Sequence, residues 1–297
     1  MIKVPVILLN YNSSDDCRKC VGFLERQRNV DLEIIIVDNA SSPDDAKSVE
    51  ALCREKGLTF IPAETNRGYN AGNNIGLRYA ASRNYRYALI ANPDMEFPDP
   101  DYVSRLVTEL EHHPDAVVVG SDIVTPEGIH QNPKFRGNEH WKNSFNWLGN
   151  LLKRNTRAGI SGDVPEWVED PGKSHYCRCL NGCCFLIKID FLRKIDFFDE
   201  RTFLYGEEPI LGRQVELAGD RMYYYAGVSC VHAHKKSKEG SSAFCSKHWQ
   251  NSQLLYIRHY SKQPFYGRWL SELSCKIYFI LLNTKHSYSK IISYLHG

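Results

Sequence analysis

The chain of 297 residues has no run of eighteen apolar residues, which excludes an ordinary membrane-spanning helix. It also lacks a charged leader with an apolar core and a cleavage site: residues 1–9 read as a strand, and the expectation is a protein kept in the cytosol. Charge of one sign is missing too. Lys and Arg number 37 against 35 Asp and Glu, a net charge of +2, so no global field attracts nucleic acid and any affinity for anions has to be local. The second predicted strand-to-helix turn is not a Gly-x-Gly-x-x-Gly, so a dinucleotide fold of the usual kind is not expected. What the chain does have is 42% hydrophobic content, enough for one large α/β domain or a domain with an appendage.

Ten cysteines are present, but metal-hook spacing is not. Cys17-x-x-Cys20 has the form of a redox or zinc half-site, with Cys177, Cys179, Cys183 and Cys184 as further ligands. Yet Cys17 and Cys20 fall in a predicted helix, and Cys183 and Cys184 in a predicted strand where neighbours face opposite ways. Reduced, buried thiols are the expectation, with structural zinc as the alternative.

The pattern that is there alternates. "VPVILLN" (4–10) and "LEIIIVDN" (32–39) are continuous β-branched runs, as in strands covered on both faces, and a helix-length segment from Asp15 to Arg26 lies between them. Strands at 58–64, 86–92 and 116–121 follow predicted helices at 43–56, 70–83 and 100–112, which predicts a mostly parallel, Rossmann-like central sheet flanked by helices. In such sheets ligands lie beyond the carboxyl ends of the strands. There the sequence places Tyr11 and Asn12, then Asp38 and Asn39, then Asn66 to Asn74, then Asn92-Pro93-Asp94 within "LIANPDMEF". Each alone has the ordinary reading of a turn former or helix cap; four polar strand ends on one rim suggest a site.

Taken in order, "VPVILLNYNSSDD", "IIIVDNASSPDD", "NRGYNAGNNIGLRYA", "ANPDMEF" and the stretch from "CLNGCCFLIKIDF" through "FLYGEEPILGRQVELAG" to "VSCVHAHKKS" resemble the inverting family 2 glycosyltransferases of the GT-A fold, over about residues 3–260. Within that family the chain is similar to the rhamnosyltransferase-like enzymes of bacterial O-antigen and capsule synthesis. The resemblance implies a donor of the nucleoside-diphosphate-sugar class, dTDP-rhamnose or a UDP-hexose, and a glycan acceptor on a polyprenyl carrier. It implies that Asp38 meets the nucleotide base, and that Asn66, Gly68, Gly72 and Asn74 cradle the nucleotide sugar. Arg67 meets a phosphate or solvent. Asn92-Pro93-Asp94 stands where the family carries a metal-binding Asp-x-Asp, so Asp94 is the implied ligand for Mn²⁺ or Mg²⁺, with the donor's phosphates completing the shell. Glu96 is either a supporting acid or a surface charge.

Pro209 suits the first position of a helix running to Gly219, which puts Glu207 and Glu208 at a helix N-terminus, where the dipole favours ionised acids. Inverting transfer needs one base on the acceptor side, and the resemblance assigns it to Glu208, with Glu207 as competitor and helix capping as the structural alternative. His232 is implied near the metal, and His234, Lys235, Lys236 and Lys238 near the diphosphate or in a solvated loop. Gly182 and the small cysteines beside it are expected to let the sugar approach. Trp141, Trp147 and Trp167 either stack on acceptor sugars or are buried. The expected organisation is a catalytic domain over 1–246, with a nucleotide-binding half to 125 and an acceptor-binding half from 126, and a helical extension over 247–297. That tail holds a single acid after residue 250, Glu272, among several Lys and Arg, and is expected to lie on a membrane or to pair two copies. A nucleotide-sugar-binding protein without turnover is the alternative function, suggested by Asn92 and by Glu208 where an Asp is usual.

Overall fold

A computed structural model of the chain describes residues 1–134, 145, 170–233 and 243–295, with side chains to residue 282. The described residues form two compact units: 1–134, 170–203 and 207–233 in the first, 204–206 and 243–295 in the second.

The first unit is built on a nine-stranded sheet. Its strands are β1 (Lys3–Asn10), β2 (Asp31–Asp38), β3 (Thr59–Pro62), β4 (Tyr87–Ala91), β5 (Met95–Glu96), β6 (Ala116–Val124), β7 (His175–Cys177), β8 (Cys184–Lys188) and β9 (Arg221–His232). The order is β3-β2-β1-β4-β8-β6-β9-β5, with β7 also pairing β9. β1 to β4 run parallel, and β8 enters antiparallel between β4 and β6. β8 therefore begins at the rim where β4 and β6 end.

The continuous apolar runs are explained by cover on both faces. Along β1, Val4, Val6 and Leu8 pack with α1 (Ser14–Leu24), α2 (Pro43–Lys56) and α4 (Tyr102–His112), while Ile7 packs on the other face with α3 (Tyr69–Ser82) and α6 (Glu207–Leu217). β2 divides likewise, Ile34 and Ile36 to one side and Ile35 and Val37 to the other. Cys17, Cys20, Val21 and Leu24 recur at helical spacing on α1, so both cysteines of the Cys-x-x-Cys pair face the core. Burial raises both of their thiol pKa values, which suits packing.

Two boundaries differ from the sequence expectation. The helix expected from Pro209 begins at Glu207, because a proline in the first turn sacrifices only an N–H that has no helical partner anyway. The domain boundary expected at 246 falls inside α7 (Ala243–His259), which packs with α8 (Phe265–Leu295) in the second unit. α5 (Ile189–Lys194) completes the helices of the described residues in the first unit.

Gly68 precedes α3 at φ +96°, and a Cβ there would run into the backbone carbonyl oxygen of Phe203, which accepts the Tyr69 N–H at 2.9 Å. Gly68→Ala is expected to cost roughly 3 kcal/mol from the forbidden backbone region and the clash together. Differential scanning calorimetry should show a melting point lower by several degrees; an unchanged one refutes the account.

Candidate active site

β1 and β2 pair residue for residue from Lys3↔Asp31 to Asn10↔Asp38, so Asn10 and Asp38 end flush at the rim. Asn10 is fully buried and its Nδ2 donates to Asp38 Oδ1 (2.8 Å) and Asp45 Oδ2 (2.8 Å). Asp38 Oδ2 accepts the Ser41 N–H at 3.2 Å. Both oxygens of Asp38 thus have protein partners, and a carboxylate's remaining lone pairs are what it can offer a ligand. Asn12 is left-handed (φ 54°), as is Ala40 (φ 56°), and the two turns are stitched together by Ser42 N–H to Asn12 Oδ1 (2.8 Å) and Asn12 N–H to Ser41 Oγ (3.0 Å). Tyr11 stands exposed beside them.

The loop before α3 is held from below. Asn66 Oδ1 accepts from Gly68 N–H (2.9 Å) and Asn39 Nδ2 (3.1 Å), and the buried Asn39 Oδ1 has no protein partner. A Cβ on residue 72 would press on the tip of the Leu9 side chain and force it to shift, so Gly72 lets α3 pack closely on the sheet. Asn74 does not face the rim as expected: its Nδ2 donates to Phe198 O (2.9 Å) and Glu200 Oε1 (3.0 Å), and its Oδ1 accepts Phe198 N–H (3.1 Å). With both amide hydrogens engaged, its role in this structure is to fasten residues 198–200. Arg67 is two-thirds exposed and pairs with Glu200 at 2.9 Å.

Beyond β4, the chain turns at Asn92, whose N–H donates to Cys183 O (2.8 Å), and β5 brings Met95 opposite His232 of β9. That pairing sets His232 Nε2 3.3 Å from Asp94 Oδ2. His232 Nδ1 lies 2.9 Å from Gln131 Oε1. His232 Nε2 and Asp94 Oδ2 therefore face each other, a geometry that serves an ion pair when the ring carries both protons and a shared cation when it carries only the Nδ1 proton. Among the described residues no group of three or more His, Cys, Asp or Glu is placed to hold a metal, so an ion here would take its other ligands from water or substrate. Glu96 sits in β5, partly buried.

The acids of α6 come to the same rim through β8. Glu208 Oε1 accepts the Gly182 N–H (3.3 Å) and a hydrogen bond from Lys134 Nζ (2.9 Å). Gly182 and Cys183 are adjacent, and they bond Glu208 and Asn92 respectively, so the acid of α6 and the turn after β4 are tied to one two-residue span. Burial pushes the Glu208 carboxyl up, but the Lys134 ammonium and the Gly182 N–H outweigh it and bring the group below its ordinary range. Glu207 and Glu208 together line a cavity of about 20 Å³ with Tyr69, whose hydroxyl donates to Gly182 O at 2.7 Å.

Of the residues named from sequence, the structure therefore gathers Asp94 with His232, Glu208 with Gly182, and Asp38 with Asn12 through the β1 and β2 ends. His234, Lys235, Lys236, Lys238, Trp141, Trp147 and Trp167 lie outside the described residues. Asn10, Asp45, Gln131 and Lys134 join the site only in the structure. Asn10, an amide closing an apolar run, was the legible signal; Gln131 and Lys134 sit in a stretch without periodicity.

Comparison with known proteins agrees with this architecture. The profile of Glycosyl transferase family 2 matches residues 6–164. The low-salt glycan biosynthesis hexosyltransferase Agl10 of Haloferax volcanii is 26% identical over 209 residues, 69% of this chain; the match spans 59% of that relative's length. The N-acetylglucosaminyl-diphospho-decaprenol L-rhamnosyltransferase of Mycobacterium tuberculosis is 21% identical over 277 residues, 86% of this chain and 85% of the relative. The mannosyltransferase PcManGT of Pyrobaculum calidifontis, solved with GDP-Man and Mn²⁺, superposes with a TM-score of 0.57 at 18% identity, covering 93% of this chain and 69% of its own. The fold is GT-A, and with the family profile matching more than half of its length the chain belongs to glycosyltransferase family 2.

Proposed function

We propose that the protein is a metal-dependent, inverting glycosyltransferase that moves a sugar from dTDP-rhamnose or a UDP-hexose to a glycan acceptor carried on a polyprenyl diphosphate, as a step in surface polysaccharide synthesis. The observation that carries the proposal is the two-residue bridge of Gly182 and Cys183, which ties the turn carrying Asp94, in contact with His232, to the Lys134-paired acid Glu208 on one rim of the sheet. The lipid-linked acceptor and the rhamnosyl donor rest on the mycobacterial relative's name. Asp94 and His232 are the residues that would hold Mn²⁺ or Mg²⁺, and the ion would neutralise charge on the departing diphosphate. A nitrogen in the donor set favours Mn²⁺, since Mg²⁺ keeps to oxygen ligands.

The residues of the chain divide the work. Asp38, steadied by Asn10 and Ser41, takes the N–H edge of a uracil or thymine, and Asn12, Tyr11 and the Asn66 to Gly72 loop border the rest of the nucleotide. Glu208 accepts the proton of the acceptor hydroxyl as that oxygen bonds the anomeric carbon and the carbon–oxygen bond to the diphosphate breaks on the opposite face. Glu207 lines the same cavity and is the competing base. Lys134, paired with Glu208 at 2.9 Å, holds the carboxylate in place at the rim before the acceptor arrives.

A thermal-shift panel tests the donor site. UDP, dTDP, GDP and CDP are each added with Mn²⁺, with Mg²⁺ and with chelator. At a hundredfold excess over Kd a bound nucleotide adds about 2.7 kcal/mol, a rise of roughly 5–10 °C for a unit this size. A rise with UDP or dTDP that chelator removes is the expected result; no rise with any nucleotide refutes the proposal.

The acid limb of the rate profile tests Lys134. In the wild type a depressed Glu208 pKa keeps the base ionised below the ordinary value of about 4.3. Lys134→Met removes the charge that opposes burial, so the pKa rises and the acid limb of kcat/KM moves to higher pH. A limb that stays in place means another group is the base.

A further inference from the structure

The helical pair of the second unit has a small apolar core, Ile257, Cys275 and Phe279 with Trp249, Leu254, Tyr278 and Leu282 packed against it. Among the described residues α8 also turns Gly267, Ser271 and Ser274 inward. A second set of large apolar residues on α8 points the other way. Tyr266, Trp269, Leu273, Ile277, Ile280 and Leu281 are each 38–62% exposed and recur every three or four residues, one continuous stripe along the helix. A stripe of that kind on a protein surface marks an interaction site.

Charge identifies what covers it. From residue 243 to the end the sequence holds seven Lys and Arg and one acid, Glu272, and Glu272 is engaged by Arg258 at 2.8 Å. Two copies meeting through this face would bring like charges together, whereas an anionic surface would neutralise them. Tyr266 and Trp269, at one end of the stripe, suit the boundary between headgroups and acyl chains. Among the described residues no helix is long and apolar enough to cross a membrane. We propose that the exposed face of α8 docks on an anionic lipid bilayer, the helix lying in the plane of the headgroups with its apolar stripe toward the acyl chains and its Lys and Arg at the lipid phosphates. The proposal does not depend on the donor or acceptor assigned above.

Co-sedimentation of the full chain with phosphatidylcholine vesicles, with and without phosphatidylglycerol, is the test. The expected result is binding to the phosphatidylglycerol vesicles alone, weakened by salt, about fivefold weaker for Lys276→Gln and lost in Ile277→Asp/Ile280→Asp. Both variants are checked by circular dichroism and by the nucleotide thermal shift, which the second unit's surface should leave unchanged. Failure of the wild type to bind phosphatidylglycerol vesicles overturns the proposal whatever the variants do. So does equal binding to neutral vesicles without salt dependence, and so does a dimer in sedimentation velocity that Ile277→Asp/Ile280→Asp disperses, which assigns the face to a second copy.

Discussion

Glu208→Gln is expected to lower kcat by about two to four orders of magnitude while nucleotide affinity stays close to wild type, because the proton acceptor is removed with little change of shape. A glutamine oxygen can still accept the Gly182 N–H and the Lys134 ammonium, so the rim should keep its form. The change cannot be dismissed as misfolding if the dTDP or UDP thermal shift persists. Glu207→Gln is the paired control: a loss of less than about tenfold there, beside a large loss at Glu208, assigns the base. If Glu208→Gln transfers sugar normally and Glu207→Gln does not, the roles of the two acids are exchanged. Should neither variant differ from a wild type that binds nucleotide but transfers nothing, the protein is a binding module.

Asp94→Asn is expected to weaken metal-dependent nucleotide binding by at least about a hundredfold, since an amide oxygen replaces the carboxylate on the ion. The readout is the Mn²⁺-dependent part of the nucleotide thermal shift, which should fall to the value seen with chelator. Gln131→Leu should act through His232 in the same direction but less, about ten- to a hundredfold, because its carbonyl only fixes which ring nitrogen faces Asp94. Nucleotide binding that is equal with and without metal in the wild type would remove both expectations and with them the assignment of Asp94.

These two predictions draw on different kinds of information. Asp94 was legible as an acid breaking an apolar strand, and the Asn92-Pro93-Asp94 resemblance suggested its role. Its partner His232 is implied by the resemblance alone and by nothing local: the two lie far apart in sequence and meet because β5 runs antiparallel to β9 with Met95 opposite His232. Glu208 was legible as one of two acids at a helix start. That it is held ionised by Lys134 was not, because nothing local in the stretch around 134 signals a return to α6.

Asn74 shows the converse limit. Its place in the Asn66 to Asn74 segment reads as a ligand contact, yet its amide fastens residues 198–200, since a buried asparagine must satisfy its own hydrogen bonds first. Gly72 is similar, its missing side chain leaving room for the tip of Leu9.

The alternation of strands and helices is written in the residue pattern, because strands covered on both faces must be apolar throughout and helices must carry an apolar stripe. So are the residues at the strand ends, because polar groups cannot continue a buried strand. Which of those ends meet, which acid is paired with which base, and which amides are already engaged follow from strand order and register in the folded chain, where a one-residue slip would turn each side chain to the other face.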